Sequence, residues 1–281
     1  MSESMIIAST FEELRTARSL LPEPVGLVPT MGYLHEGHLS LVRRAREECA
    51  SVAASIFVNP TQFGANEDLS KYPRDLKHDL TLLEQAGSDL VWTPSPEIMY
   101  PPSFQTWVTV EGLTQPLEGA VRPGHFRGVT TVVAKLFNGV QPSKAYFGQK
   151  DAQQAAVIRR MTRDLDFPVE VIVSPTIREK DGLAMSSRNI YLSPEERQAA
   201  TVLFRALSAA HASHRRSERN AEALRRIVRE TVASEPLAQL QYVSCADFDS
   251  LQELDEIRGK ALLSMAVFVG KTRLIDNFIL E

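Results

Sequence analysis

The chain has 281 residues, 43% of them hydrophobic and 23% charged, and a formal net charge of −4. This is the composition of an ordinary globular protein long enough for two domains, and the acidic balance excludes a basic field for nucleic acid or an anionic membrane. No apolar run reaches membrane-spanning length, and residues 1–10 lack the features of a secretory signal. The two cysteines, Cys49 and Cys245, are too few for a disulfide framework and favour a reducing compartment. We therefore expect a cytoplasmic protein.

Strands and helices alternate through the first part of the chain. Apolar residues at helical spacing predict helices, and short apolar runs predict buried strands. The predicted helices cover residues 11–20, 39–49, 75–87, 130–140 and 152–165. The predicted strands cover residues 25–28, 52–59, 88–94, 144–147 and 169–173, and residues 107–111 are predicted to form a short edge strand. Residues 122–128 are predicted to form a basic, glycine-rich loop. This alternation predicts a right-handed βαβ series and a parallel sheet.

A charged segment at residues 178–182 predicts a domain hinge. Beyond it, Ser193 and Glu196 form a capping-box pattern with Pro194 at the first helical position, which predicts a helix to about residue 211. Further predicted elements are a helix over 220–234 and strands over 239–248, 261–268 and 272–280. We therefore predict an α/β fold, with a Rossmann-like parallel sheet domain over residues 1–178 and a smaller C-terminal α+β domain over 179–281.

Two histidines stand where the strand over residues 25–28 leads into the next helix. His35 and His38 are three residues apart, so both rings lie on one side of the first turn, and Gly37 allows close approach to the backbone. A helix N-terminus of this kind is suited to phosphate. Taken alone, such a pair is more often a solvated helix start, and zinc is a weaker interpretation because no third ligand is evident. The combination of strand, glycines and histidines favours a nucleotide site.

Ligands of open parallel sheets bind at the carboxyl ends of the strands. Three polar loops follow predicted strands there, at residues 30–38, 59–62 and 148–151. The second could be a simple turn, and in the third Asp151 could cap a helix with Gln154 closing the box. From the residues alone, helix capping and nucleotide contact are about equally well supported for the loop at residues 148–151, and one loop can do both.

The run from Pro29 to His38 carries the His-x-Gly-His signature of the nucleotidyltransferase superfamily. It resembles most closely the family of AMP-forming pantoate–β-alanine ligases, or pantothenate synthetases. Segments that match this family occur at residues 28–38, 56–63, 122–128, 147–154 and 181–189, in the same order as in the family. A match of five segments in register makes the resemblance specific. The last contains Met185 to Arg188, an ordinary loop by itself, which matches the superfamily's Lys-Met-Ser-Lys-Ser loop. Ala184 stands at the position of the first lysine, which leaves Lys150 as the substitute cation.

The resemblance implies ligation of (R)-pantoate and β-alanine through a pantoyl adenylate, with ATP and Mg²⁺ as cofactors and AMP and pyrophosphate as products. It implies a homodimer, and a C-terminal domain that acts as a lid. The residues it assigns to phosphate-charge stabilisation are His38, His35, Lys150, Ser186, Ser187 and Arg188, with His38 as proton donor. The residues it assigns to the ATP site are Met31, Gly32, Tyr33, Leu34, His35, Glu36, Gly37, His38, Gly148, Gln149, Lys150, Asp151, Ile177, Met185, Ser186, Ser187 and Arg188.

For the acyl substrates, the resemblance assigns Gln62 to pantoate and β-alanine and Gln154 to pantoate. Asn59 is a further candidate for substrate binding, and Arg122 is a candidate for contact with a carboxylate or with the intermediate. No residue is assigned as a direct metal ligand, because ATP phosphates are expected to hold Mg²⁺. Asp79 is a weak candidate for orienting Mg²⁺ through water, and a solvated helix acid is the favoured interpretation.

Two other classes of function stay open. A different nucleotidyltransferase would share the fold and the histidine motif but keep the nucleotide in its product. A full aminoacyl-tRNA synthetase is disfavoured, because the sequence has no basic RNA-binding extension. A non-enzymatic ATP sensor would have no reason to keep Gln62 and Gln154 at a second, acyl-substrate pocket.

Overall fold

The computed structural model describes residues 5–64 and 69–281, so the first four residues of the N-terminal stretch considered above lie outside it. The chain divides into two compact units. The first consists of Met1–Gly148 and Gln154–Pro175, and the second of Gln149–Gln153 and Thr176–Glu281. Within the described ranges, no helix is long and apolar enough to cross a membrane.

The first unit is built on a six-stranded parallel sheet with the order β1-β4-β3-β2-β5-β6. Its strands are β1 (Ile6–Ala8), β2 (Val25–Thr30), β3 (Ser51–Ile56), β4 (Leu90–Trp92), β5 (Lys144–Gly148) and β6 (Glu170–Ser174). The predicted parallel sheet is confirmed, and β1 is an additional edge strand whose three residues are too short a run to show periodicity. The strand order reverses between β2 and β5, so the carboxyl end of β2 lies at the topological switch point.

Helices cover both faces of this sheet. They are α1 (Phe11–Ser19), α2 (Glu36–Glu48), α3 (Leu76–Ala86), α4 (Pro96–Met99), α5 (Glu118–Val121), α6 (His125–Val140) and α7 (Ala152–Asp164). On one face, Leu27 of β2 packs in a cluster with Leu14 and Phe137. On the other, Val28 packs in a cluster with Leu41 of α2. Adjacent strand residues thus point to opposite buried faces, as expected for a parallel sheet.

Two local predictions for the first unit are wrong. Residues 107–111 form no strand, because the backbone of Val108 is bonded to the hydroxyls of Thr130 and Thr131 on α6, at 2.6 and 3.1 Å, instead of to a neighbouring strand. The predicted loop at residues 122–128 ends early, since α6 begins at His125. Gly124, at a φ of +85°, turns the chain into this helix, a conformation that glycine adopts without strain.

The second unit contains a three-stranded antiparallel sheet of β7 (Ala238–Asp247), β8 (Ala261–Val269) and β9 (Thr272–Leu280). Its helices are α8 (Pro194–Ala199), α9 (Val202–Arg215) and α10 (Ala221–Ala233). Leu203, Leu224 and Leu263 lie in its buried core. The predicted helix from residue 194 to 211 is interrupted, because the Thr201 hydroxyl bonds the carbonyl of Gln198 at 2.7 Å and competes with the helical pattern. The predicted α/β fold with a smaller α+β part is confirmed.

Candidate active site

His35 and His38 cap the N-terminus of α2 reciprocally. His35 is the N-cap residue, and its Nδ1 accepts a hydrogen bond from the backbone N–H of Gly37 at 3.1 Å. Nδ1 of His38 accepts a hydrogen bond from the backbone N–H of His35 at 3.3 Å, and the two ring centroids are 4.1 Å apart. The pair therefore forms a capping box in which imidazoles replace the usual hydroxyl and carboxylate.

This arrangement determines the tautomer of both rings. Because each Nδ1 accepts a backbone N–H, a neutral ring must carry its proton on Nε2. Each imidazole of His35 and His38 is therefore a hydrogen-bond donor at Nε2, beside the positive end of the α2 dipole. Such donors at a helix N-terminus are suited to an anionic phosphate group.

Asp79 holds the turn between β2 and α2 in place. Its Oδ2 accepts the backbone N–H of Tyr33 at 2.8 Å, and its Oδ1 accepts that of Leu34 at 2.7 Å. The interpretation of Asp79 as a solvated helix acid is wrong, because the residue is only 1% exposed. The carboxylate is buried because it satisfies two backbone donors of a turn. At Gly32, with a φ of +82°, an added Cβ would lie 3.0 Å from Asp79 Oδ2.

A second turn, Pro60–Gln62, leaves the neighbouring strand β3 beside the histidine turn, since Thr30 pairs with Ile56 at the strand ends. Asn59 caps it: Oδ1 accepts the hydroxyl of Thr61 at 2.9 Å, and Nδ2 donates to the Gly128 carbonyl at 3.1 Å. A Cβ on Gly128 would lie 2.5 Å from the Thr61 carbonyl oxygen. The buried amide of Asn59 thus anchors the turn, and its predicted contact with substrate stays a prediction.

Arg122 and His125 both contact the backbone carbonyl of Gln62. His125 Nδ1 donates to this oxygen at 2.9 Å, and Arg122 Nη2 donates at 3.3 Å. Arg122 Nη1 lies 3.3 Å from His125 Nε2 and 3.7 Å from the carboxylate of Glu118. These contacts fix the position from which the half-buried Gln62 side chain extends.

Tyr100 lies against the same turn. Its hydroxyl oxygen lies 3.3 Å from the hydroxyl oxygen of Thr61. Burial raises the pKa of Tyr100 above its ordinary value, although the hydrogen bonds with Thr61 and Asn59 oppose the shift. The phenol therefore stays neutral at physiological pH and acts as a hydrogen-bond partner of the turn.

In the second unit, Gln149–Asp151 forms a single 3-10 turn that follows Gly148 and leads into α7. The Lys150 side chain is 22% exposed, and its Nζ lies 3.9 Å from Asp151 Oδ2. An ion pair this long and this accessible contributes little to stability. Gln154, in the first turn of α7, belongs to the first unit and is half-buried.

Residues 177–185 fold back on themselves. The backbone N–H of Met185 donates to the carbonyl of Ile177 at 3.0 Å, and Arg178 forms an antiparallel bridge with Ala184. Ala184, at the position of the superfamily lysine, is buried. The fold therefore accommodates a small apolar residue at this point.

The hydroxyl run follows directly. Ser186 is the N-cap of the 3-10 helix Ser187–Tyr191, and its Oγ accepts the backbone N–H of Arg188 at 3.2 Å. Ser187 is buried, whereas the side chains of Ser186 and Arg188 are half-buried. Two hydroxyls and a guanidinium thus lie within one short turn, a set suited to phosphate oxygens.

The sequence does not indicate the contacts that three residues make around these turns. The contacts of Asp79 with the histidine turn depend on how α3 packs, which helical periodicity does not reveal. His125 and Gly128 were assigned to a loop, and their contacts with the Asn59 turn depend on α6 starting three residues after Arg122. Nothing in the spacing of these residues indicates contacts across more than 60 positions.

A doubly wound parallel sheet with a capped helix at its switch point defines an α/β protein of the Rossmann-like class. Within this class, the chain belongs to the pantoate–β-alanine ligase family. The family's sequence model, described as "Pantoate-beta-alanine ligase", matches residues 6–279.

Individual relatives match over 98% or more of their length. The chain is 62% identical over 277 residues to the "Pantothenate synthetase" of Roseiflexus castenholzii, a match that covers 99% of this chain and 100% of that protein. The crystal structure of the pantothenate synthetase from Thermus thermophilus is similar with a TM-score of 0.93 and 52% identity, covering 98% of this chain and 99% of that one. The Francisella tularensis pantoate–β-alanine ligase, solved in complex with "Beta-gamma ATP and Beta-alanine", has a TM-score of 0.80 and 35% identity, covering 98% of each chain.

Proposed function

We propose that this protein ligates (R)-pantoate to β-alanine at the expense of ATP, through a pantoyl adenylate. In the first step a pantoate carboxylate oxygen attacks the α-phosphorus of ATP, and the bond to pyrophosphate breaks. In the second step the β-alanine amine attacks the acyl carbon of the adenylate, the bond to AMP breaks, and the nitrogen loses one proton as the amide forms. The products are pantothenate, AMP and pyrophosphate.

The observation that carries this proposal is the reciprocal cap of His35 and His38. It presents two Nε2–H donors and a helix dipole at the end of the central strand β2, where open α/β sheets bind ligands. Adenylation requires stabilisation of the charge that develops on phosphate oxygens, and preorganised donors supply it. In this proposal His38 is the proton donor, and the residues from Met31 to His38 bind ATP.

The remaining residues have matching roles in the proposal. The leaving pyrophosphate is stabilised by Lys150, Ser186, Ser187 and Arg188. The nucleotide site is lined by Ile177, Met185 and the turn at residues 148–151. Gln62 binds both acyl substrates, since an amide can donate to a carboxylate and accept from an ammonium. Gln154 binds pantoate.

Magnesium fits this proposal as the complex with ATP. Among residues 5–64 and 69–281, no group of three or more His, Cys, Asp and Glu side chains could hold a metal ion. Asp79 already accepts two backbone N–H groups. We therefore propose that phosphate oxygens are the main Mg²⁺ ligands. The homodimer and the lid role of the C-terminal part stay predictions.

Product analysis tests the proposed function. The purified protein is incubated with ATP, Mg²⁺, pantoate and β-alanine, and the products are separated by chromatography and identified by mass. Equal amounts of AMP and pantothenate are expected. A product that retains the nucleotide would indicate a different nucleotidyltransferase, and binding of ATP without turnover would indicate a sensor.

A further inference from the structure

Asn277, in the last strand of the second unit, is bonded to the turn that contains Lys150. Its Nδ2 donates to the backbone carbonyls of Gln149 at 3.0 Å and of Lys150 at 2.9 Å. Its Oδ1 accepts the Gln149 side-chain Nε2 at 3.0 Å. Asn277 is 5% exposed, so its amide is buried, while Gln149 and Lys150 are half-buried.

These bonds use both protons of the Asn277 amide and hold two consecutive carbonyls of a short turn. The strand that supplies the amide is held in place, because β9 pairs with β8 from end to end and Asn277 lies opposite Ser264. The preceding residue, Asp276, is buried and binds Arg178 through two hydrogen bonds of 2.6 and 2.9 Å. The Lys150 backbone is thus fixed to the antiparallel sheet of the second unit.

We infer that Asn277 is a positioning residue for Lys150, which it holds through the backbone of the Gln149–Asp151 turn. The inference rests on the proposed function, in which the Lys150 ammonium stabilises phosphate charge. A lysine side chain rotates about four bonds, so a fixed backbone limits the region that its ammonium reaches. Small displacements of a charge-stabilising group have large effects on rate.

The test is a double-mutant cycle between the two residues. Asn277→Ala removes all three bonds, and Asn277→Asp keeps the size but places an oxygen against the two carbonyls. Each variant should lower kcat/KM for ATP by about 10- to 100-fold. In a Lys150→Ala background, itself slowed by about 100-fold or more, Asn277→Ala should cause little further loss, because the group that it positions is absent. Steady-state kinetics and thermal unfolding are measured for every variant.

Ser264→Ala is the matched control, since Ser264 is buried opposite Asn277 and its hydroxyl makes no hydrogen bond within the described structure. It should retain wild-type kinetics. Equal losses from Asn277→Ala in both backgrounds would overturn the inference, as would wild-type activity of both Asn277 variants. If Asn277→Ala does not fold, the isosteric Asn277→Asp variant completes the same cycle. Full activity of Lys150→Ala would overturn the proposed role of Lys150 and the inference together, whereas an impaired Lys150→Ala beside unimpaired Asn277 variants would overturn the inference alone.

Discussion

Oδ2 of Asp79 accepts a hydrogen bond from the backbone N–H of Tyr33 at 2.8 Å, across 46 residues of sequence. Oδ1 of the same carboxylate accepts the next N–H, that of Leu34, at 2.7 Å. One buried side chain on α3 therefore determines the course of the turn that leads to His35 and His38. The geometry of the histidine pair depends on a residue that is distant in sequence.

We predict that Asp79→Asn weakens both folding and catalysis. The new NH₂ group cannot accept a backbone N–H, so one buried donor loses its partner. The free energy of unfolding should fall by about 1–3 kcal/mol, and kcat should fall by roughly 10- to 100-fold as the histidines move. Denaturant unfolding and steady-state kinetics measure these effects. Glu84→Gln, an exposed acid-to-amide change on the same helix, should alter neither, and a folded Asp79→Asn protein with normal kcat would contradict the prediction.

Two substitutions of His38 separate capping from chemistry. His38→Ala should lower the adenylation rate by about 10²- to 10³-fold through loss of the Nε2 donor, and should cost about 1 kcal/mol of stability through loss of the cap. His38→Gln keeps a capping-box acceptor at this helical position. It should restore the stability but not the rate. Recovery of the rate in His38→Gln, or near-normal turnover in His38→Ala, would show that the imidazole is not the proton donor.

We predict that Gln62→Ala weakens the binding of pantoate and β-alanine far more than the binding of ATP. Gln62 follows β3, whereas the histidines begin the helix after β2, so the two side chains serve different parts of the site in the proposed function. The apparent KM values for the three substrates measure the effect. Gln115→Ala, an exposed glutamine of the same unit, is the control and should leave all three unchanged. A rise in KM confined to ATP would contradict the role assigned to Gln62.

Most of the framework could be predicted from sequence, because burial imposes local periodicity. The apolar runs that became β2, β3 and β5 and the periodic helices between them were sufficient for the parallel sheet. The helix predicted over residues 75–87 ends at Gly87, which is its C-cap in a left-handed conformation with a φ of +95°. These features depend on residues adjacent in the chain.

The contacts that hold the site could not be predicted, because they join distant residues. Asn277 and Gln149 are separated by 128 positions, and no spacing rule connects them. Gly128 of α6 packs closely against Thr61, a contact that a basic, glycine-rich sequence does not indicate. A helix acid such as Asp79 is buried or exposed according to its tertiary neighbours.

Cys245 predicts a pH dependence of stability. Burial raises the pKa of its thiol from 9.0 to about 11. Above pH 9 the unfolded chain therefore releases this proton while the folded protein retains it, so stability falls as the pH rises from about 9 to about 11. Between pH 8 and pH 10, the wild-type protein should lose about 1 kcal/mol more unfolding free energy than Cys245→Ala. Parallel pH curves for the two proteins would contradict the prediction.

In the proposed function, ATP is attacked at its α-phosphate to give a separate acyl adenylate. The sequence has no Gly-x-x-x-x-Gly-Lys-Ser/Thr loop of the kind that holds β- and γ-phosphates in kinases. The histidine motif at residues 35–38 and the hydroxyl motif at residues 185–188 are instead suited to adenylation. The adenylate should therefore form before the amine binds. His38→Ala should slow this half-reaction as strongly as the whole reaction.

Exchange of labelled pyrophosphate into ATP measures formation of this adenylate. The protein is incubated with ATP, Mg²⁺, pantoate and labelled pyrophosphate in the absence of β-alanine, and the label in ATP is followed with time. Exchange that requires pantoate but not β-alanine is the predicted result, with AMP released in step with pantothenate once β-alanine is added. Exchange that requires β-alanine, or release of ADP and phosphate, would contradict it.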